Sequence, residues 1–152
     1  MVSMKKRNKK DISEIVIHHS GFNFLNRFFT YLFHKYIRGW EDIGYHYMIG
    51  NGIFSKCGKI YEGRKIEFVG AHVKNYNEKT IGVCCIGNYD KKKMPKKQME
   101  SLINLLVKLS KEYNIKPENI KGHREYPGVE KTCPGLMINM EEIREEVRKR
   151  LN

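Results

Sequence analysis

No hydrophobic run in this chain reaches the ~18–20 residues that a membrane-spanning helix needs. An internal repeat, a low-complexity linker and a Cys-x-x-Cys pair are also missing. Without repeats or linkers, 152 residues read as one domain around one core. The four cysteines, Cys57, Cys84, Cys85 and Cys133, lack zinc-finger spacing and are too few for a disulfide-dense scaffold. They fit a reducing compartment. The basic start MVSMKKRNKKD is not followed by an apolar stretch, because Asp11, Ser13 and Glu14 interrupt it. We therefore expect synthesis in the cytoplasm without a recognisable signal peptide, a basic disordered tail over residues 1–11, and a single folded domain over 12–152. Acidic residues are scarce, 17 against 29 Lys and Arg, which leaves a net charge of +12. Five cations fall within residues 5–10 and five within residues 91–97. Such a field favours a polyanionic partner such as nucleic acid, acidic lipid or an anionic polymer; otherwise it is a solvated surface.

What is present is a packed globule, with 40% hydrophobic residues. Glu14 to His19 is short and β-branched, which predicts a strand. Phe24 to Ile37 carries apolar residues at three- and four-residue steps, which predicts a helix. Its apolar surface is wide enough for part of it to serve as a contact surface. Further strands are expected at Tyr45–Ile49, Lys59–Gly63 and Ile81–Ile86, and a short one ending at His123. Asn51-Gly52 and Gly58 mark turns. Cys84 and Cys85 are neighbours on a strand, face opposite ways and read as small apolar fillers; Cys57 has no assigned role. Pro95 suits the first turn of a helix whose buried side is Met99, Leu102, Ile103, Leu105, Leu106 and Leu109. Asn139 suits the N-cap of a last helix, with Glu141 and Glu142 early, Arg148 to Arg150 late, and Ile143, Val147 and Leu151 on one face. The expected class is α/β: a mixed central sheet of about five to six strands flanked by about three helices.

The segment GHREYPGVEKTCPG, residues 122–135, gathers an imidazole, an ammonium and a thiol in one bent loop. A connecting loop needs none of these, whereas a zinc site would use some of them. Catalytic zinc takes three protein ligands and leaves a fourth position open. His18 or His19 at one strand end, His123 at another and Cys133 ten residues later are the candidate ligands. Lys131 cannot ligate while protonated, but it is suited to steady an oxyanion. Histidines at strand ends are more often ordinary polar residues, and a lone cysteine is more often a buried filler.

Five ordered segments make the chain similar to a known family: IVIHHS (15–20), GWEDIGYHYMIG (39–50), IYEGRKIEFVGAHVKNYNEKTIGVCCIGNYD (60–90), the helix carrying Gln98, and GHREYPGVEKTCPG. From about Glu14 to Leu151 it resembles the zinc-dependent N-acetylmuramoyl-L-alanine amidases, a family shared by phage endolysins, bacterial wall amidases and peptidoglycan-recognition proteins. The resemblance implies one Zn2+ per chain, held by His18, His123 and Cys133. It implies Tyr45 facing the metal-bound water, Lys131 as the catalytic lysine and His72 as a cleft histidine that contacts substrate. Arg64 is expected either to anchor its loop or to touch substrate. His19, His34 and His46 are expected to be structural, and Glu125 to hold its loop. The implied reaction is hydrolysis of the amide between the lactyl group of N-acetylmuramic acid and L-alanine. The implied partners are peptidoglycan or muropeptides, with anionic wall polymers drawn by charge, and the expected state is a monomer. Alternatives are a cytoplasmic muropeptide-recycling amidase and a non-catalytic peptidoglycan-binding module. A nucleic-acid binder with structural zinc is disfavoured, since no helix-turn-helix or stacking motif is evident. The stretch Asn51 to Gly58 and the aromatic segment 22–37 depart from the family pattern.

Overall fold

The β-branched run at residues 14–19 forms β1 (Glu14–His19), next to one edge of a five-stranded sheet ordered β3-β2-β4-β1-β5. The computed structural model describes residues 4–152. β4 (Thr80–Cys85) and β5 (Ile120–Gly122) flank β1, both parallel to it. β2 (Tyr47–Ile49) runs parallel to β4, and β3 (Ile60–Glu62) closes the edge antiparallel to β2. The sheet is therefore mixed, as expected. A strand buried on both faces reads as continuously apolar. β4 is buried at every position, and β1 at every position except His19.

The two faces of the sheet do different things. Ile15 and Ile17 of β1, with Ile81, Val83 and Cys85 of β4, join the core beneath α2 (Lys96–Tyr113) and α3 (Met140–Leu151). Leu102, Leu106 and Leu109 of α2 and Ile143 and Val147 of α3 complete that core. The period of two sends Val16 and His18 to the other face. Parallel pairing sets Gly82 opposite Val16 and Cys84 opposite His18. Gly82 is required where it stands: a Cβ there would lie 2.6 Å from the His72 ring.

Local chemistry explains the element ends. The third helix, α1 (Arg27–Leu32), starts later than the expected Phe24, because Asn26 is extended and its side chain accepts the Phe29 N–H. A π-helical turn, Phe33–Ile37, continues it. Pro95 is the N-cap of α2 rather than a first-turn residue. Asn139 caps α3 as expected, accepting from the Glu141 and Glu142 N–H groups. β2 is shorter than expected, yet the Tyr45 and His46 carbonyls still accept from Arg64 and Gly63.

The N-terminal stretch corrects the expectation of a disordered tail over residues 1–11. Residues 1–3 lie outside the described residues, but from Met4 the chain is docked. Val69 N–H donates to the Lys5 carbonyl, and Lys6 bridges Phe68. Arg7 donates to the carbonyls of Ile66, Asn77, Glu78 and Thr80. A row of carbonyls left free by a turn is a strong attractor for a guanidinium with five donors, and composition alone does not reveal it.

Candidate metal centre and active site

β1 delivers two adjacent imidazoles to opposite faces. His18 is 2% exposed and points away from the helix-covered core. His19 points the other way and accepts the Tyr89 N–H at its Nδ1, 3.1 Å away, which is the structural role expected of it. His123 follows β5, and β5 lies beside β1, so the parallel register brings His18 and His123 together. Their ring centroids are 4.6 Å apart.

The loop that returns Cys133 to this point is wired from inside. Arg124 donates to the carbonyls of Thr132, Gly135 and Ile138, and its own N–H binds the Cys133 carbonyl. Asp90 accepts from the Thr132 hydroxyl and the Leu136 N–H, tying the loop to the end of β4. Glu125 accepts the Gly122 N–H and pairs with Arg144 of α3 at 3.1 Å. It holds the loop, as expected.

His18, His123 and Cys133 each offer a ligand atom, and the three atoms lie within 4.8 Å of one another. The Cys133 Sγ is 3.7 Å from His18 Nδ1. Zinc–sulfur and zinc–nitrogen bonds of about 2.3 and 2.0–2.1 Å at a tetrahedral angle put such atoms about 3.6 Å apart. The Cys133–His18 separation matches that value, and the donor set of two imidazoles and one thiol is one that zinc takes. Burial, and then the charges of His123, His19 and Lys131, drive the His18 pKa well below 6.5. Burial and Lys131 lower His123 as well. Neutral imidazoles are the form a metal needs. Burial pushes the Cys133 thiol up to about 11, so a metal must displace its proton.

The other predicted residues divide. Tyr45 packs against His18 with the rings tilted at 54° and their centroids 5.1 Å apart. Burial and the neighbouring Cys84 thiol raise its phenol well above 10. Lys131 is exposed on the rim, close enough for its charge to depress both ligand imidazoles. These residues, with His72, line one open cavity of about 810 Å³. His72 is the nearest neighbour of the ligand set: its Nδ1 is 2.9 Å from His18 Nε2, and its Nε2 is 3.3 Å from the Thr80 hydroxyl. That hydroxyl donates to the Tyr76 carbonyl at 2.9 Å.

Arg64 is not in this cavity, which corrects its candidacy as a substrate contact. It is 7% exposed and gives its donors to the carbonyls of Ile43, Val69 and Asp42 at 3.0, 2.7 and 3.2 Å. Its anchoring reading holds. His34 accepts the Gly44 N–H, and burial lowers its pKa to about 4. His46 accepts the Gly82 N–H at Nδ1, and its Nε2 faces the Phe68 carbonyl, outside the cavity.

Three contributions escaped sequence reasoning. Thr80 stands behind His72, Cys84 forms part of the cavity wall as well as filling space, and Arg7 binds the Thr80 carbonyl from below at 2.6 Å. The strand register that aligns Cys84 with His18 is the signal for the second. The first and third depend on folded loops and leave no pattern in the chain.

Known proteins share this architecture. The family model described as N-acetylmuramoyl-L-alanine amidase matches residues 8–136. Peptidoglycan-recognition protein LB of Drosophila melanogaster is 36% identical over 104 residues, covering 68% of this chain and 42% of that protein. The endolysin of Klebsiella phage KP32 is 40% identical over 81 residues, half of each chain. Among solved structures, the N-acetylmuramoyl-L-alanine amidase LysC from Clostridium intestinale superposes with a TM-score of 0.82 at 30% identity, covering 97% of this chain and 91% of that one. A Drosophila PGRP-LB variant solved in complex with tracheal cytotoxin gives a TM-score of 0.76 at 28% identity, covering 93% and 84%. The chain thus spans well under two thirds of the two curated relatives it matches here.

Proposed function

The chain belongs to the N-acetylmuramoyl-L-alanine amidase family, and from that premise we propose that it hydrolyses the amide between the lactyl group of N-acetylmuramic acid and L-alanine in peptidoglycan. One zinc ion held by His18, His123 and Cys133 would supply Lewis acidity for the attack of water on the amide carbonyl. The observation that carries this reading is the convergence of those three side chains, with ligand atoms within 4.8 Å of one another, in one open cavity.

The chain's own residues then have distinct tasks. Lys131 brings a positive charge to the side where the carbonyl oxygen becomes negative, a differential interaction that lowers the barrier. Tyr45 keeps its proton because burial raises its pKa. It is suited to donate a hydrogen bond and orient the attacking water. The cavity wall of Cys84, Met48 and Leu25 is apolar and strengthens these electrostatic contacts by lowering the local polarity. Substrate is a muropeptide or the intact wall.

The test is hydrolysis of a soluble muramyl peptide with identification of the newly freed L-alanine amine. Chelation should abolish it and zinc restore it. Cys133→Ala should lose zinc and turnover together. Lys131→Ala should keep zinc and lose about 10²–10³ in turnover. Hydrolysis that survives chelation, or muropeptide that is bound but returned uncut, would sink the proposal; the latter would identify a binding module.

A further inference from the structure

Two stretches, residues 20–40 and 50–60, contain no Asp or Glu. They do contain Arg27, Lys35, Arg38, Lys56 and Lys59. Ten of the twelve large apolar side chains exposed among the described residues belong to these two stretches. Phe22, Phe28, Tyr36 and Ile37 are each more than 60% exposed. The stretches form one surface: the rings of Phe24 and Phe54 lie 5.8 Å apart, and the Asn51 amide donates to the Asn23 carbonyl at 2.9 Å. Lys97 of the basic 91–97 segment borders the same loop, beside Lys56 and Lys59.

We propose that this aromatic and cationic surface docks on a bilayer rich in anionic phospholipid. Aromatic and aliphatic side chains ringed by Lys and Arg are the chemistry of interfacial binding, in which the apolar groups enter the acyl boundary and the cations meet the headgroups. Arg38 over the Phe33 ring and Lys35 over Tyr31 show both components within one short helix. Sugar is a poorer occupant, because the side-chain carbonyls that would accept from hydroxyls are engaged internally. Asn26 accepts from Phe29, Asn51 accepts from Ile53, and Asn23 accepts from Asn88. A second copy is also a poorer occupant, since it would set five cations against themselves without a carboxylate. Phe22 and Phe33 also line the cavity, so docking would set the cavity mouth beside the lipid surface.

Co-sedimentation with vesicles tests this, using phosphatidylglycerol–phosphatidylcholine mixtures against phosphatidylcholine alone. The protein should partition onto the anionic vesicles at least about tenfold more strongly. Phe28→Ser/Tyr36→Ser/Ile37→Ser should lose at least about tenfold of that partitioning while keeping its far-UV circular dichroism, since none of the three residues lines the cavity. Independently, the emission that Phe28→Trp adds to that of Trp40 in the parent should be blue-shifted by anionic vesicles and quenched by brominated acyl chains. The proposal is overturned if neither vesicle binds, or if the triple variant partitions like the parent. It is equally overturned if the new tryptophan is not quenched, which would assign the binding to charge alone. Loss of affinity for purified glycan strands with vesicle binding intact would assign the surface to sugar. A dimer abolished by the triple variant, with vesicle binding intact, would assign it to a second copy.

Discussion

At the residue scale, His72 illustrates how a side chain near a site takes on a role through its neighbours. His18 turns Nδ1 toward Cys133 and Nε2 toward His72. If Nδ1 is the ligand atom, Nε2 carries the proton and donates to His72 Nδ1. His72 is then protonated at Nε2, facing the Thr80 hydroxyl, which itself donates to Tyr76. Each link fixes the tautomer of the next, and such outer partners orient a ligand and raise its basicity. We expect His72→Ala to weaken zinc affinity by about 10–100-fold, and Thr80→Val to weaken it less. Competition with a chromophoric chelator measures both without reference to turnover. Unchanged zinc affinity in His72→Ala would return the residue to the substrate-contact role that the family resemblance implies. The residue types of the metal set were legible in the chain, because a loop that joins imidazole, ammonium and thiol has little structural reason to exist. Which of His18 and His19 joins the candidate metal set followed only from the family resemblance, since alternation on a strand says that they differ and not which way each turns. Arg64 was open for a related reason: three carbonyl partners scattered over residues 42–69 have no signature in sequence.

Elements were read well where side chains repeat with a period, and less well where a single cap sets the boundary. The helix α2 follows its apolar spacing, whereas α1 is shortened by one asparagine. Strand β1 carries a further device at its first residue. Glu14 is 6% exposed and joins three elements: Lys79 before β4 at 2.8 Å, Lys121 of β5 at 3.3 Å, and the Tyr126 hydroxyl at 2.5 Å. Burial on its own would raise its carboxyl, but these partners hold it below the ordinary 4.5. A depressed folded value means that the unfolded chain binds the proton more readily. The stabilisation is therefore complete above 4.5 and is lost as pH falls through the lower folded value. Glu14→Gln should cost about 1–3 kcal/mol at neutral pH. It should also shrink the difference in thermal midpoint between pH 7 and pH 3 relative to the parent. An equal acid response in both proteins would remove Glu14 as the cause.

At the scale of the whole molecule, charge is the feature that the sequence states most directly and places least. The chain carries a net +12 with 29 cations, and six of the nine ion pairs among the described residues are made by Arg144, Arg148 and Arg150 of α3. None of Lys91, Lys92, Lys93, Lys96 and Lys97 is in an ion pair among the described residues. Lys91, Lys92 and Lys93 follow Asp90, Lys96 and Lys97 open α2, and none of the five lines the metal cavity. Attraction to a polyanionic wall and chemistry at a single amide should therefore respond differently to ionic strength. Raising salt from about 0.1 M to about 1 M shortens the Debye length from about 10 to about 3 Å. That screens charges that act over distance and leaves contacts inside the cavity little changed. Clearing of intact walls should fall across that range, while turnover of a soluble muramyl peptide should stay within about twofold. Lys91→Gln/Lys92→Gln/Lys93→Gln should lower wall clearing at low salt and flatten its salt dependence. If the soluble substrate loses as much as the wall does, the charge acts at the cavity, and the long-range role of these lysines is wrong.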